Sequence, residues 1–454
     1  MITRVAAAAA LAAICVAAPW SAEALGAATA TAGLPACTVT LPSGSTNNAA
    51  LQLANGEVLC ASGTFTNESA ITVSSGGSAV IEAPHFVNHG SVEASNGTTL
   101  QLTSPPANLR GTTLTGGAWT AGGTLSFPGA ITTLAASVTL SGTGEIEDSA
   151  NSSNAVDSLT TIERSGTFAL NGSAYLQTGS VTSAGTVILG TAGDPGDAVN
   201  WQDSGTFAMT GGSFTFLDPN SCINVGSRAF TITGGTMSGF GMLTGTVGVS
   251  GKAVFAPTLY GAQASFWLNG SYSQTGGVFE DTVNDPSGTP VAGALWASGA
   301  VSLGGTLEVL STGSRPATGT SVQVITGSSV SGSFKAVHNV GVAGFSQSIV
   351  SPNASIVTLA NAPPSAPGTP SATASGSGAA TVSWSAPSSN GGKPLTGYVI
   401  VASPGCACTG LTAGAAATST VVSGLQAGTS YTFVVEARNS VGTGVPSVAT
   451  NSVT

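Results

Sequence analysis

The chain has 454 residues and a formal net charge of −10, with 6% charged residues and 63 glycines. Nine Lys and Arg are too few for the basic footprint of a nucleic-acid binder or for a polybasic membrane patch. Hydrophobic residues at 42% exclude a solvated disordered chain, and the length allows two or three domains with a sizeable core.

Residues 1–30 read as a secretory signal. Arg4 gives a short positive start and Ala6–Ala18 an apolar run. Ala22-Glu23-Ala24 and Ala28-Thr29-Ala30 are A-x-A cleavage sites, which put the cut near Ala24 or Ala30. The apolar run is short for a membrane span, and no later stretch resembles a membrane helix. Cys15 follows Ile14, whereas a lipid-modified cysteine normally follows a small residue. A secreted, extracellular protein, free or associated with the cell surface, is the expectation.

Residues 31–360 follow one grammar. Phe65, Ile71, Val73, Ile81, Phe86, Val92, Leu100 and Leu102 stand in short alternating runs, and Gly76-Gly77 and Asn96-Gly97 are turns. Gly270–Val337 shows the pattern most plainly, and no amphipathic helix interrupts it. Short phrases recur: Ser62-Gly63-Thr64-Phe65 returns as Ser165-Gly166-Thr167-Phe168, Ser204-Gly205-Thr206-Phe207 and Ser331-Gly332-Ser333-Phe334. Repeats at irregular spacing predict stacked coils with loops of varying length. The expected fold is all-β, an elongated right-handed β-solenoid (parallel β-helix). The competing fold is a pair of β-sandwiches, which the local strand spacing also fits.

Cys37, Cys60, Cys222, Cys406 and Cys408 follow the signal, and an oxidising compartment permits disulfides. Cys37 and Cys60 are the preferred pair, an N-terminal cap that staples the first turns. Cys406-Ala407-Cys408 is too tight for a relaxed bridge, which leaves it strained, reduced or paired elsewhere. A redox or metal loop is the functional alternative there, without a His or acid nearby. Cys222 is the cysteine left over.

Trp119-Thr120-Ala121-Gly122-Gly123-Thr124-Leu125, Ala130–Leu134 and Val138–Gly144 resemble bacterial secreted β-solenoid repeats. The later phrases NGSYSQTGG, VSLGGTLEV and VQVITGSSVSGSFKAV do so too. Together, over roughly 110–360, they are similar to the passenger-type repeats of autotransporter and filamentous adhesin-like proteins. The resemblance implies an adhesive, rod-like part. It does not extend to the outer-membrane barrel of autotransporters, so it implies no route of export.

Residues 361–370 form a Pro-rich, semi-rigid linker. Residues 371–454 resemble a fibronectin type III domain. Ala380-Thr381-Val382-Ser383-Trp384 carries the core tryptophan, and Leu395–Ile400 follows. Leu425-Gln426-Ala427-Gly428-Thr429-Ser430-Tyr431 gives the tyrosine-corner phrase. Trp384 and Tyr431 are thus expected to be structural in a C-terminal β-sandwich. An Arg-Gly-Asp tripeptide is absent.

Three acidic groups are the candidates for chemistry: Glu145, Glu147 and Asp148; Asp194, Asp197 and Asp203; Glu280, Asp281 and Asp285. Glu145 and Glu147 share one face of a strand, and with Asp148 they are the candidate Ca²⁺ ligands; no other cofactor is expected. Solubility on exposed loops is the plainer reading of sparse acids. His85 and His89 share a face but lie ~13 Å apart by strand rise, too far for one metal. His-Glu-x-x-His, Gly-x-Ser-x-Gly, P-loop and paired CxxC motifs are all missing.

Trp119, Trp201, Trp267 and Trp296 are candidate sugar-stacking residues, with core packing as the alternative. The sequence favours a non-catalytic surface, matrix or adhesion-type protein. Its expected partners are extracellular polysaccharide or cell-surface components, with no nucleic acid and no membrane span. An enzyme or accessory protein of extracellular polysaccharide degradation is the rival.

Overall fold

A computed structural model describes residues 36–192, 198–260, 263–264, 266–285, 291–292, 294–313, 321–340, 345–349, 354–359, 363–388, 390–391 and 393–454. The signal and its cleavage sites, together with Asp194 and Asp197, lie outside the described residues.

All elements among the described residues are strands. One parallel ladder runs without interruption through thirteen of them: Leu51–Leu53, Ala70–Val73, Ser91–Ala94, Thr113–Ala121, Thr133–Ser141, Thr167–Asn171, Thr186–Leu189, Ser213–Phe216, Thr236–Gly239, Val254–Pro257, Val278–Asp285, Thr306–Gly313 and Ala336–Val340. Each strand lies in register on one that is a full coil distant in sequence. Two further sets of parallel pairs accompany it. Tyr175–Thr178 leads through Asn200–Asp203, Cys222–Ile232, Met242–Val249 and Phe266–Asn269 to Leu295–Ala297. Val181–Ser183 leads through Phe207–Met209 and the second halves of the same two long strands to Tyr272–Gln274 and Ala300–Leu303.

Near the start, Val39–Leu41, Glu57–Ala61, Ser78–Glu82, Thr99–Leu102, Thr124–Phe127 and Glu145–Asp148 form a parallel series. It ends where Ser153–Asn154 folds back antiparallel on Glu145–Asp148. At the far end Ala354–Leu359 pairs antiparallel with Ser321–Thr326 and Phe345–Ile349. Parallel pairing of distant strands is compatible with a solenoid. Two β-sandwiches would instead pair mostly through antiparallel neighbours.

The alternation seen in the sequence is the alternation of burial: Ala70–Val73, Ser91–Ala94 and Ser213–Phe216 each read half-buried, buried, half-buried, buried. Because coils stack in register, inward side chains meet their counterparts. Phe65, Phe86, Trp119 and Phe127 form a chain of ring contacts at 5.7, 6.4 and 5.9 Å. Phe207 and Phe230, paired in register, stack at 4.7 Å. Asn47, Asn67 and Asn88 form a ladder of side-chain amides, each donating to the next across 2.8 Å. Asn108 continues it by accepting from the Asn88 backbone N–H and donating to the Asn88 carbonyl. These amides satisfy one another where water is excluded.

The recurring Ser-Gly-x-Phe phrase marks corners. Phe65, Phe168, Phe207 and Phe334 are all buried just after the turn. The glycine is required by close approach: a Cβ on Gly166 would lie 2.3 Å from the Leu134 carbonyl oxygen of the coil below.

Residues 371–439 form two three-stranded antiparallel sheets around their own core. Ala379–Ser383 sits between Ser371–Gly376 and Ser419–Ser423, and Leu395–Ser403 between Thr412–Ala413 and Thr432–Asn439. Trp384, Tyr398, Tyr431 and Phe433 fill that core. The Asn451 side chain brackets Ala372, donating to its carbonyl and accepting from its N–H at 2.8 and 2.9 Å.

Cys37 is bonded to Cys60 across a sequence separation of 23, which restrains the unfolded chain by about 3 kcal/mol in the loop-entropy account. Cys406 and Cys408 are bonded to each other. Cys222, the leftover cysteine of the sequence count, is buried.

Gly166→Ala should destabilise the stack by about 1–3 kcal/mol, because the Leu134 carbonyl belongs to a rigid coil. Gly248→Ala, where a Cβ meets nothing within 4 Å, should stay within about 0.5 kcal/mol. Thermal melting of the two variants beside the parent chain checks the contrast.

Candidate functional site

Strand parity decides what each candidate side chain can do. Trp119 and Trp201 point inward and are fully buried. The Trp119 indole N–H donates to the Gly116 carbonyl at 3.1 Å and that of Trp201 to Thr178 Oγ1 at 2.8 Å. Both are core residues, so for this pair the packing reading holds and the sugar-stacking one does not. Trp267 and Trp296 point outward, pair in register on adjacent coils, and stack at 5.5 Å with an interplanar angle of 30°. They are half-buried. Trp267 lies between Trp296 on one side and Met242, with Cys222, on the other, and the Trp296 indole nitrogen is buried, so only part of the pair is open to a ligand. On the same side, Gln202, Asn224, Thr244 and Asn269 follow one another in register as an uncharged polar row. Asn224 donates to Gln202 at 2.8 Å.

The proposed Ca²⁺ trio does not assemble. Glu145–Asp148 alternates half-buried and buried positions, so Glu145 and Glu147 face outward while Asp148 faces the core. Asp148 accepts from the Gly129 and Ala150 backbone N–H groups at 2.8 and 3.0 Å and from Asn151 Nδ2 at 2.9 Å. The Gly129 contact leads in holding its carboxyl below the ordinary value, against the opposing effect of burial. Asp148 therefore ties down a turn. The separation follows from a period of two: residues 145 and 147 share a face that 148 cannot reach.

Glu145 is raised by burial and then by Glu147. Asp157 is brought beside it by the fold-back after Ser153–Asn154 and is pushed up to about 6, by burial first and Glu145 second. Sequence reading missed Asp157, because only the antiparallel return places it there.

Of the third acidic group, Glu280 faces outward and Asp281 is fully buried; the Asp285 side chain lies outside the described residues. The register sets Glu280 beside Glu308 and Glu308 beside His338, on three successive coils. Burial, then Glu308, raises Glu280. Glu308 and His338 were also missed, since their alignment appears only once the coil lengths are known. His89 pairs with Glu68 of the previous coil at 2.8 Å, and His85 is exposed. Among the described residues, the His, Cys, Asp and Glu atoms close enough to share an ion are those of Cys37, Cys60 and Glu82. A disulfide already joins the two sulfurs.

The fibronectin type III domain model matches residues 365–453, so the C-terminal part of the chain is a fibronectin type III domain. Tyr431 is buried there, with its hydroxyl accepting from the Gln426 N–H at 3.4 Å. Trp384 lies 5.2 Å from Tyr398. No curated protein matches the chain. Among solved structures, the FN1–FN3 domains of chicken CNTN1 are 23% identical over 20% of this chain and 33% of that one, with a TM-score of 0.19. Titin kinase with its flanking domains is 24% identical over 20% and 17%, with a TM-score of 0.18. The twitchin kinase region of C. elegans is 29% identical over 20% and 16%, with a TM-score of 0.18. The chain spans a third or less of the length of each of these three.

Asp203 generates a pH prediction. It is occluded at a shallow corner, with Oδ1 accepting from the Gly205 N–H at 2.7 Å. Burial pushes it up to about 6 from 3.8, against the lowering effects of Gly205 and Arg228. The folded state therefore holds an extra proton between these values. Stability is greatest below about pH 4 on this account and falls as pH rises through 6, by no more than about 3 kcal/mol. The opposite effect of Asp148 is confined to lower pH. Melting temperature should fall between pH 4.5 and 7.5, and Asp203→Asn should flatten that fall. An unchanged slope in the variant would remove Asp203 as its source.

Proposed function

We propose that this is a secreted, non-catalytic surface or matrix protein of the adhesion type. Residues 31–360 form a right-handed β-solenoid rod, and the fibronectin type III domain is its interaction or spacer module. The thirteen-strand parallel ladder carries this reading. Twelve steps of ~4.8 Å extend it over roughly 58 Å, and parallel crossovers are right-handed in nearly all known cases. A long, regular and nearly uncharged surface suits multivalent contact more than a single catalytic cleft. The similarity to bacterial passenger-type repeats points the same way. Extracellular polysaccharide or cell-surface glycan is the proposed partner. It would meet the amide row Gln202, Asn224 and Asn269 and the exposed part of the Trp267–Trp296 pair.

One observation favours a second reading, an enzyme of polysaccharide breakdown. Glu280 and Glu308 lie in register one coil apart. That places two carboxyl groups at about the spacing of the acid and nucleophile in a retaining glycosidase.

Incubating the mature chain with a panel of polysaccharides and cell-wall preparations separates the two. The adhesion reading expects retention with no soluble product, reduced about tenfold or more by Trp267→Ala with Trp296→Ala if these anchors contribute as a stacked pair does. Released oligosaccharide, abolished by Glu308→Gln, would overturn it. Absence of both retention and product would remove glycans as the partner class.

A further inference from the structure

The two disulfides among the described residues differ in what they are good for. Cys37–Cys60 closes a long loop and joins the first coils, whereas Cys406–Cys408 encloses one residue. A bond across so short a loop removes little freedom from the unfolded chain. Structural stapling therefore accounts well for the first and poorly for the second.

Their surroundings differ too. Cys60 is buried, and a Glu82 carboxylate oxygen lies 3.6 Å from its sulfur. A thiolate approaching that bond meets a negative charge. Cys406 and Cys408 are half-exposed in the loop between Leu395–Ser403 and Thr412–Ala413, around an exposed Ala407. No residue from 401 to 418 is charged, so nothing there repels an anionic nucleophile. The loop rests on the fibronectin core through the half-buried cysteines and is tied by the Thr409–Ser423 bridge. The fold around it thus stands without the sulfur–sulfur bond.

We propose that Cys406–Cys408 is a thiol–disulfide exchange site for low-molecular-weight thiols. An external thiolate attacks one of the two sulfurs, forming a mixed disulfide as the Cys406–Cys408 bond breaks. The other cysteine leaves as a thiolate and takes a proton from water. A second external thiolate then attacks the mixed disulfide and frees the first cysteine. Two thiols are oxidised to one external disulfide, and the loop disulfide is reduced by two electrons. The site gives an extracellular interaction module a redox-sensitive loop.

The test treats the full chain with graded reduced glutathione, quenches with iodoacetamide and maps the modified peptides. Glutathione adducts and alkylation at Cys406 and Cys408 should appear at least about tenfold faster than at Cys37 and Cys60. Equal rates, a reversed order or no reaction at the loop would overturn the proposal. Glu82→Gln should speed reaction at Cys37–Cys60 about fivefold, the size of one charge at this distance in water, and leave the loop unchanged. No acceleration in that variant would overturn the electrostatic part of the argument.

Discussion

Register is the constraint on which the N-terminal part rests. Every strand of the long ladder lies directly on its counterpart one coil away, so any inward position is shared by its neighbours along the stack. Phe168, Val187, Phe214 and Met237 occupy one such column, and all four are buried. A polar residue enters such a column at least cost where its neighbour answers it. Asn67 does so because Asn47 and Asn88 flank it with complementary amides. The corners obey the same rule, since a side chain at Gly166 would strike the coil beneath.

Period-two alternation was legible in the sequence because it is a local property of a half-buried strand. Which strand pairs with which was not, because coil length varies. Asn47 and Asn67 are 20 residues apart, while Thr178 and Asp203, also in register, are separated by 25. The amide ladder was readable in principle as asparagines recurring at nearly constant spacing. The tryptophans could not be sorted from composition, since parity alone divides them. Trp201 stands second in Asn200–Asp203 and faces inward; Trp267 stands second in Phe266–Asn269 and faces outward. A one-residue difference in where the corner falls reverses the side chain's fate.

The fibronectin type III part was easier to read because its signals do not depend on distant register. Trp384 and Tyr431 sit at fixed offsets from turns within about fifty residues of each other, and both end in one small core. The pairing of Cys406 with Cys408 escaped sequence reasoning for a different reason. Loop stabilisation argues against so short a bridge, and the fold supplies no other cysteine there.

The same register explains why so few residues are charged. On an outward column, a charge repeated on the next coil stands ~4.8 Å from its like, and opposed like charges destabilise a sheet. A long stack therefore selects Ser, Thr, Ala and amides for its outer columns, as Ser137, Thr167, Thr186, Ser213 and Thr236 show. Glu280 beside Glu308 departs from this rule, and Glu308 adds to burial, the larger cause, in raising the Glu280 carboxyl. Of the neighbouring inward positions, Phe279 and Leu307 pack as the rest of the core does, while Asp281 sets a buried carboxyl beside Val309. Acidic groups therefore stand on both faces of this one strand, against the rule that the other columns obey, which makes it the part of the ladder where a chemical role has the strongest physical claim.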